Sequence, residues 1–99
     1  MDKSTIIAKL RECEGELKAT GVERLFLHGS YARGTAVREV SDVDVIAEFD
    51  AAREFSLLDR VHLENRLADL LGVKVDLAPA QALKDGVRER AAREAVLAF

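Results

Sequence analysis

Residues 27–49, LHGSYARGTAVREVSDVDVIAEF, contain the pattern that decides the predicted fold. The end of this stretch, residues 42–49, is typical of a strand, in which successive side chains alternate between two faces. Asp42 and Asp44 therefore share one face, and the valines that follow each of them lie on the other. At about 3.3 Å per residue the two aspartates are roughly 6.6 Å apart, so both carboxylates can reach the same hard cation.

The Gly29-Ser30 pair follows a predicted first strand over residues 22–28. A glycine lets a phosphate approach the backbone, and the start of a helix offers N–H donors and a positive dipole end. We expect residues 30–34 to form such a short helix, with Ser30 as its N-cap. Arg33, one turn into that helix, can reach the same phosphates. The pair is therefore a candidate nucleotide-binding element.

A third carboxylate, Asp76, lies on a later alternating run over residues 73–77. Three like charges on one sheet face repel one another, so a bound cation is the natural compensation. The donors are all oxygen, which indicates Mg²⁺, with Mn²⁺ as an alternative. Two such ions can activate a hydroxyl and stabilise a leaving pyrophosphate, with Asp76 as ligand and candidate base on the side of the nucleophile.

The rest of the chain predicts helices around this sheet. Cys13 lies on the apolar side of the first helix, where a small buried thiol is the expected role. Pro79 is expected to end the third strand. The predicted elements are a helix over 3–19, with Ile6, Leu10 and Leu17 on its apolar side; a helix over 55–71, with Leu57, Val61, Leu63, Leu67, Ala68, Leu70 and Leu71 on its apolar face; a helix stepping through Leu83, Val87, Ala91 and Ala95; and an apolar tail over 96–99.

This order, αβαβαβα, predicts an α/β domain of two layers. Seven residues separate Gly34 from Asp42, which is too few for a crossover, so the first two strands should be antiparallel. A helix between the second and third strands suits a parallel crossover, which makes the sheet mixed.

The length, composition and charge of the chain exclude several classes of protein. The 99 residues, 48% hydrophobic and 33% charged, suit a single domain over 1–99 of an ordinary globular protein. No apolar run of about 18 residues and no signal-peptide core is present, so we expect a cytoplasmic protein without a membrane partner. A net charge of −3 argues against nucleic-acid binding by this domain alone, and one cysteine argues against a disulfide or a cysteine zinc site.

The run from Gly29 to Gly34, GSYARG, followed by Asp42-Val43-Asp44 and by Asp76, resembles the minimal nucleotidyltransferases (MNT type) of the DNA polymerase beta superfamily. The resemblance extends from Val22 to the C-terminus. It implies the palm-like nucleotidyltransferase fold, with Asp42, Asp44 and Asp76 as catalytic acids that bind two Mg²⁺ and with the Gly-Ser pair holding the triphosphate.

The resemblance also implies a partner. Members of this type often act as antitoxins of a helical HEPN-domain toxin by transferring AMP from ATP to a toxin tyrosine. Whether the chain forms a homo-oligomer or a hetero-oligomer is left open. Two alternative functions remain beside the one that the resemblance implies: a nucleotide-binding antitoxin that acts by binding, and a transferase for a small-molecule hydroxyl. The acceptor and the choice of ATP over other nucleotides are left open.

The sequence departs from the common family pattern at His28, where many relatives carry an aromatic residue, and at Tyr31, where a basic residue is frequent.

Several side chains also have a plainer interpretation than a role in the candidate site. The plainer roles are a surface ion pair of Arg33 with Glu39 or Glu48, a pair of Lys74 with Asp76, a partly buried structural role for His28 and a solvated position for His62.

Overall fold

A computed structural model describes residues 2–37 and 41–99 of the chain. Helices and strands alternate along most of it, as predicted, and a four-stranded sheet forms the centre. The elements are α1 (Lys3–Glu12), α2 (Glu14–Ala19), β1 (Val22–His28), α3 (Gly29–Arg33), β2 (Val43–Phe49), α4 (Leu57–Leu71), β3 (Val75–Pro79), a 3₁₀ turn (Ala80–Ala82), α5 (Asp85–Glu94) and β4 (Val96–Leu97).

The strands lie in the order β3-β2-β1-β4. β1 runs antiparallel to β2, and β2 runs parallel to β3, so the predicted mixed sheet is confirmed. The predicted order of three strands is wrong in one respect, because the apolar tail adds β4 antiparallel to β1. The backbone N–H of Ala98 donates to the carbonyl of Leu25 at 2.8 Å. A two-residue edge strand is too short to show a periodic pattern, which is why only the apolar character of the tail could be predicted.

The predicted first helix over residues 3–19 is two helices, which meet at Cys13. Cys13 has φ −98° and ψ 10°, outside the helical region, and serves as the C-cap of α1. Its carbonyl then accepts the N–H of Leu17 to begin α2. The apolar stripe continues across the bend, and the Cys13 thiol is buried as expected. A periodic pattern cannot reveal a bend of one residue that leaves the stripe intact.

Helix α4 begins at Leu57, two residues later than predicted, because Ser56 and Asp59 form a capping box. Its buried side chains, Leu63, Leu67 and Leu71, step by four. The predicted apolar face was too broad: Leu57 is 74% exposed and Val61 is 41% exposed. Helix α5 is also shorter than predicted, since Leu83 precedes it and Ala95 follows it.

The two faces of the sheet have different roles. One face packs against α1, α2 and α4 through alternate residues of the strands, namely Leu25, Leu27, Val43, Val45, Ala47, Val75 and Leu77. The other face carries His28, Asp44 and Asp76 and is partly covered by α5. β3 ends at Pro79, as predicted. Within the described ranges no helix is long and apolar enough to span a bilayer.

Candidate active site

Gly29 forms the sharp turn from β1 into α3. Its φ of +74° lies in the left-handed region, which residues with a Cβ rarely adopt. A Cβ at this position would collide with the Oδ2 atom of Asp44 and lie 3.2 Å from its Cγ. The glycine therefore allows both the turn and the close approach of a carboxylate to the first turn of α3.

Ser30 is the second residue of α3, and not its N-cap as predicted. The N-cap is His28, whose side chain makes no capping hydrogen bond. The helix begins one residue early because Gly29 adopts the conformation that turns the chain directly out of the strand. Tyr31, on the same helix, is 6% exposed and belongs to the core, a role that the sequence did not reveal.

The three predicted acids lie at the same end of β2 and β3. Asp44 and Asp76 are register partners on these parallel strands, which places their backbones about 4.8 Å apart. Asp42 lies one residue before β2 and is exposed, whereas Asp44 is half-buried. On its other side Asp44 faces His28 across the antiparallel pair. The register thus brings the acids of two distant segments to one end of these strands on the polar sheet face.

Burial raises the pKa of the Asp44 carboxyl, and the negative charge of Asp76 raises it further. His28 acts in the opposite direction, Asp42 adds to the rise, and Arg33 also lowers this pKa. No ion pair formed by the described residues includes Asp44. Asp44 is therefore the acid with the least neutralisation and the strongest demand for a cation.

The other two acids have cationic partners within the chain. Arg60 of α4 contacts Asp76 through Nη2 at 3.2 Å, and Lys74 approaches Asp42 at 3.8 Å. Lys74 was expected to pair with Asp76, so that prediction is wrong. The reason is position: Lys74 precedes β3, and its carbonyl accepts the N–H of Val43, next to Asp42.

The residues fit a magnesium ion through the chemistry of their donors. Across the described parts of the chain no three His, Cys, Asp or Glu side chains converge closely enough to hold a metal by themselves. Mg²⁺ does not require such a cage, because it commonly uses one or two carboxylates together with waters and substrate phosphates. Asp44, half-buried beside two more carboxylates, offers such a partial set of oxygen donors.

Arg33 and His28 lie at the margin of this group. Arg33 pairs with Glu94 of α5 at 3.4 Å. The predicted ion pair with Glu48 is wrong, because Glu48 pairs with Arg24, and Glu39 lies outside the described residues. His28 is half-buried, and its Nε2 is enclosed without a hydrogen-bond partner among the described residues.

Two residues near the acids, Arg60 and Glu64, were not predicted from the sequence. They lie one turn apart on α4, and Glu64 accepts the backbone N–H of Leu77 at 2.8 Å. Their spacing alone is typical of a solvated helix pair. His62, between them, is exposed as predicted.

An apolar cleft of about 490 Å³ lies farther along the polar face. Phe26 and Ile46, which are register partners, form its floor, and α5 forms one wall. It contains none of the three acids, so the carboxylates and not the cavity identify the candidate site.

Comparison with known protein families shows which family the chain belongs to. The sequence pattern of the nucleotidyltransferase domain matches residues 7–98. The chain belongs to the nucleotidyltransferase domain family. The resemblance seen in the sequence is thereby confirmed. This nucleotidyltransferase domain is 42% identical over 76 residues to the protein adenylyltransferase MntA of Thermococcus cleftensis, which covers 77% of this chain and 74% of the relative.

Solved structures show the same fold. One assigned as a minimal nucleotidyltransferase has 40% sequence identity and a TM-score of 0.76, covering 97% of this chain and 95% of its own. A complex of tri-AMPylated HEPN toxin with MNT antitoxin from Shewanella oneidensis has 16% identity and a TM-score of 0.71, covering 98% of this chain and 71% of its own. At that identity the second likeness concerns the fold alone.

Proposed function

We propose that this domain is a Mg²⁺-dependent nucleotidyltransferase that transfers AMP from ATP to a hydroxyl of a partner protein. The observation that carries the proposal is the register of Asp44 with Asp76, directly beside the turn at Gly29. This arrangement places oxygen donors from two strands next to the start of a helix. The similarity to a protein adenylyltransferase supports the choice of AMP and of a protein acceptor.

Each residue has a role in this proposal. Asp42, Asp44 and Asp76 hold the metal, and Asp76 also faces the acceptor hydroxyl and can take its proton. The backbone at Gly29-Ser30 and the guanidinium of Arg33 bind the triphosphate. When bound, Mg²⁺ supplies positive charge that stabilises the phosphoryl oxygens and the leaving pyrophosphate. The hydroxyl oxygen forms a bond to the α-phosphorus as the bond to the pyrophosphate oxygen breaks.

The proposed acceptor is a HEPN-type toxin, which makes the chain an antitoxin. Structures with the same fold include a complex of a HEPN toxin with an MNT antitoxin and a toxin-antitoxin structure with AMP-PNP. The matched chains of those two structures are longer, since this chain covers 71–73% of them. The proposal concerns the whole assembly, so it requires the partner in the test.

Transfer of label from [α-³²P]ATP to a purified HEPN partner tests the activity. We expect label on the partner with wild type and none with Asp42→Asn. Asp69→Asn, an exposed acid elsewhere on α4, is the matched control and should retain transfer. Equal labelling by wild type and Asp42→Asn would contradict the proposal.

The ion pairs at Asp42 and Asp76 favour a second candidate function, an antitoxin that acts by binding alone. An Asp42→Asn, Asp44→Asn double variant separates the two. Full neutralisation of the toxin by this variant would support binding alone. Loss of neutralisation while the complex still forms would support transfer.

A further inference from the structure

Arg60 reaches the candidate site from the opposite side of the sheet. Helix α4 packs on the apolar face, with Leu63, Leu67 and Leu71 buried there. Asp76 lies on the other face, because its neighbours on β3 point into the core. β3 is an edge strand, so the Arg60 side chain passes around that edge to contact Asp76 at 3.2 Å.

Arg60 also has a second carboxylate within reach. Its Nε atom lies 3.7 Å from Oε2 of Glu64, one turn farther along α4. The same Glu64 oxygen accepts the backbone N–H of Leu77 at 2.8 Å, which holds this carboxylate beside the edge strand. The guanidinium therefore lies between an acid of the candidate site and an acid of the helix.

We propose that Arg60 is a positioning residue that neutralises Asp76 in the metal-free protein and transfers to Glu64 when a divalent cation binds. Asp76 is 58% exposed at its side chain and Arg60 is 36% exposed, so the pair can separate without disturbing the core. A cation at the acids repels the guanidinium and competes for the same carboxylate oxygen. Glu64 provides the place to which the positive charge moves.

In the metal-free protein two of the three acids are paired with cationic side chains of the chain itself. Asp76 contacts Arg60 and Asp42 is approached by Lys74, whereas no ion pair among the described residues includes Asp44. The inference rests on the proposed metal site. Arg60 competes with the metal for Asp76, and this competition raises the cation concentration needed to load the site.

The effect on affinity should be modest, because exposed ion pairs are weak. Breaking such a pair corresponds to about a two- to fivefold change in an equilibrium constant. Arg60→Met should lower the apparent Kd for Mg²⁺ by this factor. Glu64→Gln should raise it, because the amide can still accept the Leu77 N–H but no longer attracts the guanidinium. Opposite changes from two neighbouring residues distinguish this exchange from a general loss of stability.

Titration of the isotopically labelled chain with MgCl₂ alone, followed by NMR, tests the proposal. The amide signals of Asp44 and Asp76 report metal binding, and the side-chain Nε signal of Arg60 reports its partner. We expect the Arg60 Nε signal to move with the same midpoint as the amides. Arg66→Met is the matched control, since Arg66 lies on the same helix but pairs with Glu16 at 2.8 Å. It should leave the Kd unchanged.

The outcomes separate the inference from the proposed function. Movement of the amide signals with an unmoved Arg60 Nε signal, or equal Kd values for Arg60→Met and Arg66→Met, would overturn the role of Arg60 and leave the metal site intact. An absence of amide changes at high Mg²⁺ concentration, both alone and together with a non-hydrolysable ATP analogue, would overturn the metal site itself. A lower Kd in Arg60→Met together with a higher Kd in Glu64→Gln would establish the exchange.

Discussion

The α-carbon of Gly29 lies so close to the carboxylate of Asp44 that any side chain at position 29 would overlap it. An added Cβ would lie 3.2 Å from Cγ and 3.3 Å from Cβ of Asp44, and nearer still to Oδ2. The φ of +74° at Gly29 independently disfavours a side chain. The turn that starts α3 can therefore lie against Asp44, the acid proposed to hold the metal, only because residue 29 has no Cβ atom.

Gly29→Ala should therefore destabilise the fold and reduce transfer. We expect a loss of about 2–4 kcal/mol in the free energy of unfolding, combining left-handed strain with overpacking against Asp44. Urea denaturation measures it. Gly72→Ala is the control, because Gly72 has φ +75° and no atoms within 4 Å of an added Cβ. It should lose only about 1 kcal/mol. Equal losses in the two variants would show that the contact with Asp44 has no cost.

Asp44→Asn should stabilise the metal-free protein at neutral pH. Because burial and neighbouring charges raise the pKa of Asp44 in the folded state, the folded protein binds this proton more tightly than the unfolded chain. Its stabilising contribution is present at acidic pH and is lost as pH rises through the folded-state pKa. At neutral pH the half-buried, ionised carboxylate therefore destabilises the folded state, and replacing it with a neutral amide removes this destabilisation.

Thermal melts in EDTA measure this effect. At pH 7 the variant should melt a few degrees above wild type, and the difference should shrink toward zero as Asp44 becomes protonated at acidic pH. Asp69→Asn, away from the candidate site, serves as the comparison. A lower Tm for Asp44→Asn at pH 7 would mean that the ionised carboxylate is stabilising in the folded state.

Mg²⁺ with ATP should reverse this order of stability. Ligands that bind only the folded state stabilise it by about 2.7 kcal/mol at a concentration 100 times Kd. The wild type should gain Tm with both ligands, whereas Asp44→Asn should gain little because it lacks a metal ligand. Melts with each ligand alone and with both together provide the measurement. An unchanged wild-type Tm at saturating concentrations of both would contradict the site.

Arg33→Ala should weaken ATP binding about tenfold, the value of one hydrogen bond to a charged group. Calorimetric titration with Mg²⁺ and a non-hydrolysable ATP analogue measures it. Arg24→Ala is a close control, since Arg24 and Arg33 are both exposed and each pairs with a glutamate at 3.4 Å. Equal affinities of the two variants for the ATP analogue would contradict a role of Arg33 in ATP binding. Its ion pair with Glu94 would then be its only role.

Much of the fold could be predicted because its signals are local. The alternation of Asp44 with Val43 and Val45 depends only on strand geometry, and the bounds of β1 agree with the structure at both ends. The short connection after Gly34 predicted antiparallel strands, and the helix before β3 predicted a parallel pair, because chain length limits how strands can be joined.

The surroundings of the acids, in contrast, depend on contacts between distant residues. Arg60 lies 16 positions before Asp76 and reaches it only because β3 is at the edge of the sheet. The pairing of β4 with β1 likewise joins residues that are far apart in the sequence, such as Phe26 and Leu97. The sequence by itself determined which side chains share a strand face, because that follows from local geometry. Only the tertiary structure decided which charges meet at that face, because ion pairs depend on packing between elements.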